Sequence, residues 1–273
     1  MKKIIVIIGG QRCGTTALQR AFSGTGQVED FSEIFHTEEG EITRESNYFY
    51  WLNNVENIDK KSNQGLCRYD YMENLAIRYL NYLSDFTDKD YFLIDIKHEA
   101  WPALSPSWFS VFRMPLFMNV LDTLGSRFIH MRRRNIFAQY ISILYARKIG
   151  KWHYDKNDIS TNESKISITV NPYEANLFID SVDKNVKLFD EFLSRCRNHT
   201  SLNYEATYSG GDLTKSARKK LMSILDKDLV SALNLTLRKT PYLISEVVEN
   251  PEELLEFFYS SDFYYQIYAS LKL

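Results

Sequence analysis

The chain has 273 residues, a formal net charge of −2, 44% hydrophobic residues and 25% charged residues. That length and mix suit a globular protein with a substantial core. The near-neutral charge argues against a protein that coats nucleic acid, whose phosphates demand a net basic face, and there is no run of about 18 apolar residues to span a membrane.

Ile4 to Ile8 is an all-apolar, β-branched run, the signature of a central parallel strand covered on both faces. A Gly-rich turn comes next, then a helix over Thr16 to Phe22. Helical periodicity returns at Asn74 to Phe86, a second strand is predicted at Tyr91 to Ile96, a helix at Leu116 to Leu124 and a third strand at Arg127 to Met131. Asn135 is placed to cap a helix running to about Lys148. A helix from Phe178 to Cys196, a short strand at Ser201 to Tyr204 and a helix from Thr214 to Leu225 come next. Pro251 opens a last helix through Phe258 as a first-turn proline. Strands alternating with helices predict an α/β fold, a P-loop-like central parallel sheet with helices on both faces, formed as one domain over 1–273. The polar stretch Tyr154 to Tyr173 reads as a long loop, a lid or acceptor-binding segment.

Three cysteines (Cys13, Cys67, Cys196) with no CxxC pair make neither a disulfide framework nor a zinc site, and point to a reducing, cytoplasmic setting. The apolar run after Lys3 is too short for a signal peptide. No clustered carboxylate–histidine set suggests a metal.

Gly9 and Gly14 bracket four residues and precede Thr15-Thr16, between a strand and a helix. This is P-loop spacing with Thr15 where the lysine of GxxxxGK[ST] stands. Inward-turned N–H groups and a helix N-terminus suit a phosphate, and both threonines offer hydroxyls. Arg12 is the only nearby cation in sequence to replace the missing lysine.

The loop Gln11-Arg12-Cys13-Gly14-Thr15-Thr16 resembles the 5′-phosphosulfate loop of sulfotransferases, with Cys13 in place of the usual serine. The stretch Phe128 to His153 is similar to the 3′-phosphate segment of the same family, in which an arginine ending a strand is followed eight residues later by a serine; Arg134 and Ser142 have that spacing. Arg132, Arg133 and Arg134 are consecutive, so the arginine is assigned by counting back from Ser142. Gln139, Ala146 and Trp152 resemble the bacterial carbohydrate branch, Nod-factor and trehalose sulfotransferases included. Glu33, in DFSEIFH, stands where that branch carries its base. Weaker echoes are Asn203-Tyr204-Glu205 and the C-terminal stretch with Arg238 and Lys239, which the resemblance places near the nucleotide.

The resemblance implies sulfuryl transfer from 3′-phosphoadenosine-5′-phosphosulfate to an acceptor hydroxyl, a carbohydrate by branch, with adenosine 3′,5′-bisphosphate as product. Two separate anion pockets, around Arg12 and Arg134, would grip one nucleotide. Arg12 is always cationic and acts electrostatically. Glu33 is the candidate base, and His36, titrating nearer neutrality, is its rival. Lys97 and His98 come after a strand whose carboxyl end is where ligands bind, an acceptor-side position. A kinase with a degenerate P-loop and a non-catalytic nucleotide-binding protein are the alternatives. Acceptor and oligomeric state are not encoded legibly.

Overall fold

The computed structural model describes residues 2–56, 69–100, 114–155, 166–238 and 242–272. Five parallel strands form the central sheet: β1 (Lys3–Gly9), β2 (Val28–Glu33), β3 (Tyr91–Lys97), β4 (Arg127–Arg132) and, after a short strand β5 (Tyr154–Asp155), β6 (His199–Asn203). Their order is β2-β3-β1-β4-β6. The α/β expectation and its parallel sheet are therefore realised.

β1 explains why. Ile4, Ile5, Val6, Ile7 and Ile8 are each at most 2% exposed, and successive side chains point to opposite faces. Ile4, Val6 and Ile8 join a core built with the helices Tyr69–Asp85, Leu116–Thr123 and Pro172–Leu193. Ile5 and Ile7 join a second core with the helices Thr15–Ser23 and Lys215–Leu221. Burying each such side chain contributes about 1.5–3 kcal/mol, so the strand is fixed from both sides. Tyr48 and Trp51 are also buried in the first core.

In this order β1 connects towards β2 on one side of the sheet and β4 towards β6 on the other. The carboxyl ends of β1 and β4 therefore flank a topological switch point, where open α/β sheets bind ligands. Gly9 is level with Lys97 on one neighbour and Met131 on the other. Glu33 is level with Asp95, and Arg132 with Asn203. The Gly9–Thr15 loop, Glu33, Lys97 and the arginine triplet thus share one rim.

Some boundaries depart from expectation. β2 has no counterpart among the strands predicted from sequence. The 172–193 helix begins six residues before Phe178, because Asn171 accepts N–H bonds from Tyr173 and Glu174 and Pro172 occupies the first turn. The stretch 154–173 is not loop throughout: β5 pairs antiparallel with β7 (Leu237–Arg238), and Ile168 bridges to Val248; residues 156–165 lie outside the described ones. Cys13 and Cys196 are buried free thiols, and Cys67 lies outside the described residues. Among the described residues no helix is long and apolar enough to cross a membrane.

Candidate functional site

The Gly9–Thr15 loop is held open by its surroundings. Its carbonyls are tied from outside: Gln139 Nε2 donates to Gln11 O at 2.7 Å, Arg133 to Arg12 O at 3.2 Å, and the Tyr208 hydroxyl to Gly14 O at 2.7 Å. A trans peptide points its N–H away from the preceding carbonyl. The N–H groups of Arg12, Cys13 and Thr15 therefore each point away from the contact that ties the carbonyl before them, that of Cys13 turning toward Gly10 O at a long 3.4 Å. Arg12 (φ 61) and Gly14 (φ 87) are left-handed and flank Cys13, the alternation from which backbone anion nests are built. The Thr15–Ser23 helix starts there with no side-chain cap, leaving its N-terminal partial charge for a ligand. Buried Cys13 fills the loop, and burial pushes its thiol up to about 11, so it is an inert thiol here.

Lys97 supplies the cation the loop lacks. Its Nζ donates to Thr15 Oγ1 at 2.7 Å and to Asp95 Oδ2 at 2.5 Å, and lies 3.2 Å from Glu33 Oε1. The ammonium therefore touches the threonine that occupies the P-loop lysine position. Burial works against the charge, yet Asp95 and Glu33 outweigh it and the Lys97 pKa is raised. Arg12 is not the sole cation at the loop, as the sequence suggested. Lys97 and Arg133 are both there, delivered by β3 and by the segment after β4.

Glu33 reaches Lys97 because of a bulge. In β2, Asp30 pairs with Leu93, but Glu33 pairs with Asp95, so three steps on one strand match two on the other. The extra residue reverses the facing of Glu33. Phe31 points into the first core, and without the bulge Glu33 would point the same way. Ser32 absorbs the irregularity at φ 58 and is, with Arg12, one of two non-glycine residues of positive φ among those described. Backbone strain gathers where a site requires it. Ser32→Val, which disfavours positive φ, is expected to cost about 1–3 kcal/mol in urea unfolding. A variant as stable as wild type would show that the backbone at Ser32 stores no strain.

His36 sits 3.8 Å from Glu33 Oε2 through Nε2. Its Nδ1 accepts the Glu38 N–H at 3.2 Å, so in the neutral ring the proton is on Nε2 and the lone pair is already used. Of the two rivals, Glu33 is the one with an available basic oxygen.

The far wall is the Ile136–Ile149 helix. Asn135 caps it through Ala138 N, and Gln139 and Ser142, one turn apart, both face the loop. Arg12 Nε donates to Ser142 Oγ at 2.9 Å, and the guanidinium also bonds the Trp152 carbonyl. The serine spaced from Arg134 is thus held by the loop's own arginine. Arg134 is exposed, and its N–H and that of Asn135 are each 3.1 Å from a Glu205 carboxylate oxygen. Arg132 is spent on Asp190 at 2.6 Å. Arg133 lies over the Tyr204 ring at 4.8 Å. The weak echo Asn203-Tyr204-Glu205 thus contacts the segment after β4, and Tyr208 touches the loop. Arg238 is in β7, and its side chain and Lys239 lie outside the described residues.

His98 turns away from Lys97 and enters a buried chain. Its Nε2 is 3.1 Å from His130 Nε2, and His130 Nδ1 is 2.9 Å from Asp190 Oδ1. Asp190 fixes the His130 proton on Nδ1, so His98 donates through Nε2 and its buried Nδ1 has no hydrogen-bond partner. Burial lowers both pKa values, that of His98 well below the ordinary 6.5, with His130 and Lys97 adding to the effect on His98. At these two histidines the folded state then binds fewer protons than the unfolded chain below about pH 6.5, so their contribution to stability is lost as pH falls through that range. His98→Gln is expected to flatten the loss between pH 6.5 and 5 by up to about 1.4 kcal/mol per pH unit, read from urea midpoints. An unchanged slope would assign it elsewhere.

No family model and no curated protein matches the chain. Among solved structures it is similar to a sulfotransferase from Alicyclobacillus acidocaldarius, with 12% identity, a TM-score of 0.40 and coverage of 100% of this chain and 94% of the other. It is also similar to an apo-form GTPase from Pyrococcus abyssi, with 14% identity, a TM-score of 0.31 and coverage of 74% and 91%. Both are distant likenesses.

Proposed function

We propose that this protein is a sulfotransferase, transferring a sulfuryl group from 3′-phosphoadenosine-5′-phosphosulfate to a hydroxyl of a carbohydrate acceptor. The observation that carries the reading is the Lys97 ammonium held between the phosphate loop and Glu33. It unites an anion nest, a cation and a carboxylate base on one rim. The sequence resemblance of the loop and of the Phe128–His153 stretch supports the donor's identity.

The donor supplies an activated sulfuryl group on a phosphate leaving group. The loop N–H groups and Thr15 and Thr16 hold the 5′-phosphate end. Glu33 removes the acceptor's proton as its oxygen bonds to sulfur and the bond from sulfur to the phosphate oxygen breaks. Lys97 balances the charge that gathers on the leaving phosphate, and Arg12 with Ser142 steadies the neighbouring anionic group. Positioning and electrostatics do most of the work, as in phosphoryl transfer. Trp152, 40% exposed after the wall helix, offers an aromatic face to a sugar.

Calorimetry tests the reading. Adenosine 3′,5′-bisphosphate is expected to bind at least ten-fold more tightly than AMP, about 1.4 kcal/mol, with the excess reduced in Arg134→Ala. Radiolabelled sulfate should pass to members of a glycan panel, and Glu33→Gln should abolish transfer while donor binding survives. Equal affinity for the two nucleotides would overturn the assignment. A degenerate-loop kinase is the second reading, favoured by Lys97 supplying the cation its loop lacks; tighter binding of ATP with Mg²⁺ in the same titrations would select it.

A further inference from the structure

Asp95 has no part in sulfuryl transfer as proposed, yet it is a carboxylate with 0% of its side chain exposed, at a position the sheet otherwise fills with apolar residues. Lys97 Nζ and Gln19 Nε2 both donate to its Oδ2, while its Oδ1 is buried with no hydrogen-bond partner. The Thr15 side chain also hydrogen-bonds this carboxylate and helps lower its pKa, and its only cation is Lys97 among the described residues. The same ammonium also serves Thr15 and Glu33, so its three N–H donors are fully committed. An anion arriving in the loop must compete for them.

We propose that Asp95 is a positioning residue, which holds the Lys97 ammonium against Thr15 while the phosphate loop is empty, and which takes up a proton from solvent when an anion bound in the loop draws that ammonium away. This rests on the nucleotide reading of the loop. The proton adds to the Asp95 carboxylate, the ammonium keeps its own proton and charge, and no bond to the ligand is made or broken.

The surroundings leave little else for Asp95 to respond to. Lys97 faces it from its own strand, Glu33 from β2, and Thr15 and Gln19 from the helix after the loop. On β1 its register partner is Ile7, which is apolar. Burial pushes its carboxyl up to about 6, against the pull of Lys97, so loss of that pull raises it further. Glu33, the other carboxylate on this lysine, is 28% exposed and retains water as an alternative partner.

The test is calorimetric titration of the full chain with adenosine 3′,5′-bisphosphate at pH 7, in two buffers of different ionisation enthalpy. Wild type is expected to take up roughly one proton per nucleotide, the uptake fading as pH falls below about 6 where Asp95 is already protonated. Asp95→Asn, which keeps the shape and removes the titration, should bind without uptake. Binding with no buffer-dependent heat, or undiminished uptake in Asp95→Asn, overturns the inference and leaves the nucleotide reading intact. Absence of nucleotide binding overturns both. Should Asp95→Asn not fold, Glu33→Gln decides: uptake retained there supports Asp95, and uptake lost assigns the proton to Glu33 and overturns the proposal.

Discussion

Lys97→Met is expected to slow turnover by a factor on the order of 10²–10³, as does removal of one preorganised donor from a transition-state site, and to destabilise the fold by about 3–5 kcal/mol. The two losses have different origins. Turnover falls because the loop loses the cation beside Thr15. Stability falls because Asp95, with its side chain 0% exposed, is left with a buried charge and no counter-ion. The second loss depends on pH with a definite sign. An unpaired Asp95 titrates higher still than about 6, above its unfolded value, so the penalty is large at pH 8 and shrinks as pH falls. The double variant Asp95→Asn with Lys97→Met removes both charges and is expected to recover most of the stability and none of the activity. Chemical unfolding and sulfate transfer, measured on the four proteins of the cycle, separate the terms. Lys97→Met with turnover within three-fold of wild type would remove the lysine from the chemistry.

How much of this is legible in the sequence depends on whether the cause is local. β1 and its loop are, since a buried parallel strand is a continuous apolar run and a tight anion loop needs glycine at fixed spacing. β2 is not. Its sequence VEDFSE has neither an apolar run nor clean alternation, because it is an edge strand interrupted at Ser32. Resemblance alone therefore points to Glu33, without the bulge that aims it. The start of the Pro172–Leu193 helix is written in Asn171-Pro172, a cap before a first-turn proline, a signal that the apolar periodicity further on obscures. Lys97 is recognisable at a strand's carboxyl end, but its sequence position suggests the acceptor side. Its contact with Thr15 spans 82 residues and depends on β3 lying beside β1, a neighbour relation that no local pattern encodes. The same holds for Ser142, whose bond to Arg12 crosses 130 residues.

Gly14→Ala is expected to be the most damaging single substitution in the loop. At φ 87 the residue is left-handed, which costs an alanine about 1–2 kcal/mol. The added Cβ would also lie 2.8 Å from Tyr204 Cδ2 and 2.8 Å from Tyr208 Cε2, inside any normal contact. Neither ring can yield cheaply. Tyr208 is anchored by its hydroxyl to Gly14 O at 2.7 Å, Tyr204 lies under Arg133 at 4.8 Å, and the two rings pack edge to face at 5.5 Å. Overpacking of this kind adds about 1–3 kcal/mol. A total near 2–5 kcal/mol is expected in urea unfolding, on the same two terms. The functional loss should exceed the structural one. Displacing Tyr204 shifts Arg133, which donates to the Arg12 carbonyl, so the peptide carrying the Cys13 N–H loses its tie and the nest its shape. Affinity for adenosine 3′,5′-bisphosphate is expected to fall at least 100-fold, about 2.7 kcal/mol. Adding Tyr204→Ala relieves the clash and leaves the φ penalty, so the double variant should regain stability while the nucleotide still binds weakly. Single-variant stability within about 0.5 kcal/mol of wild type, the range of an ordinary surface substitution, would show that the tyrosines do not brace this turn.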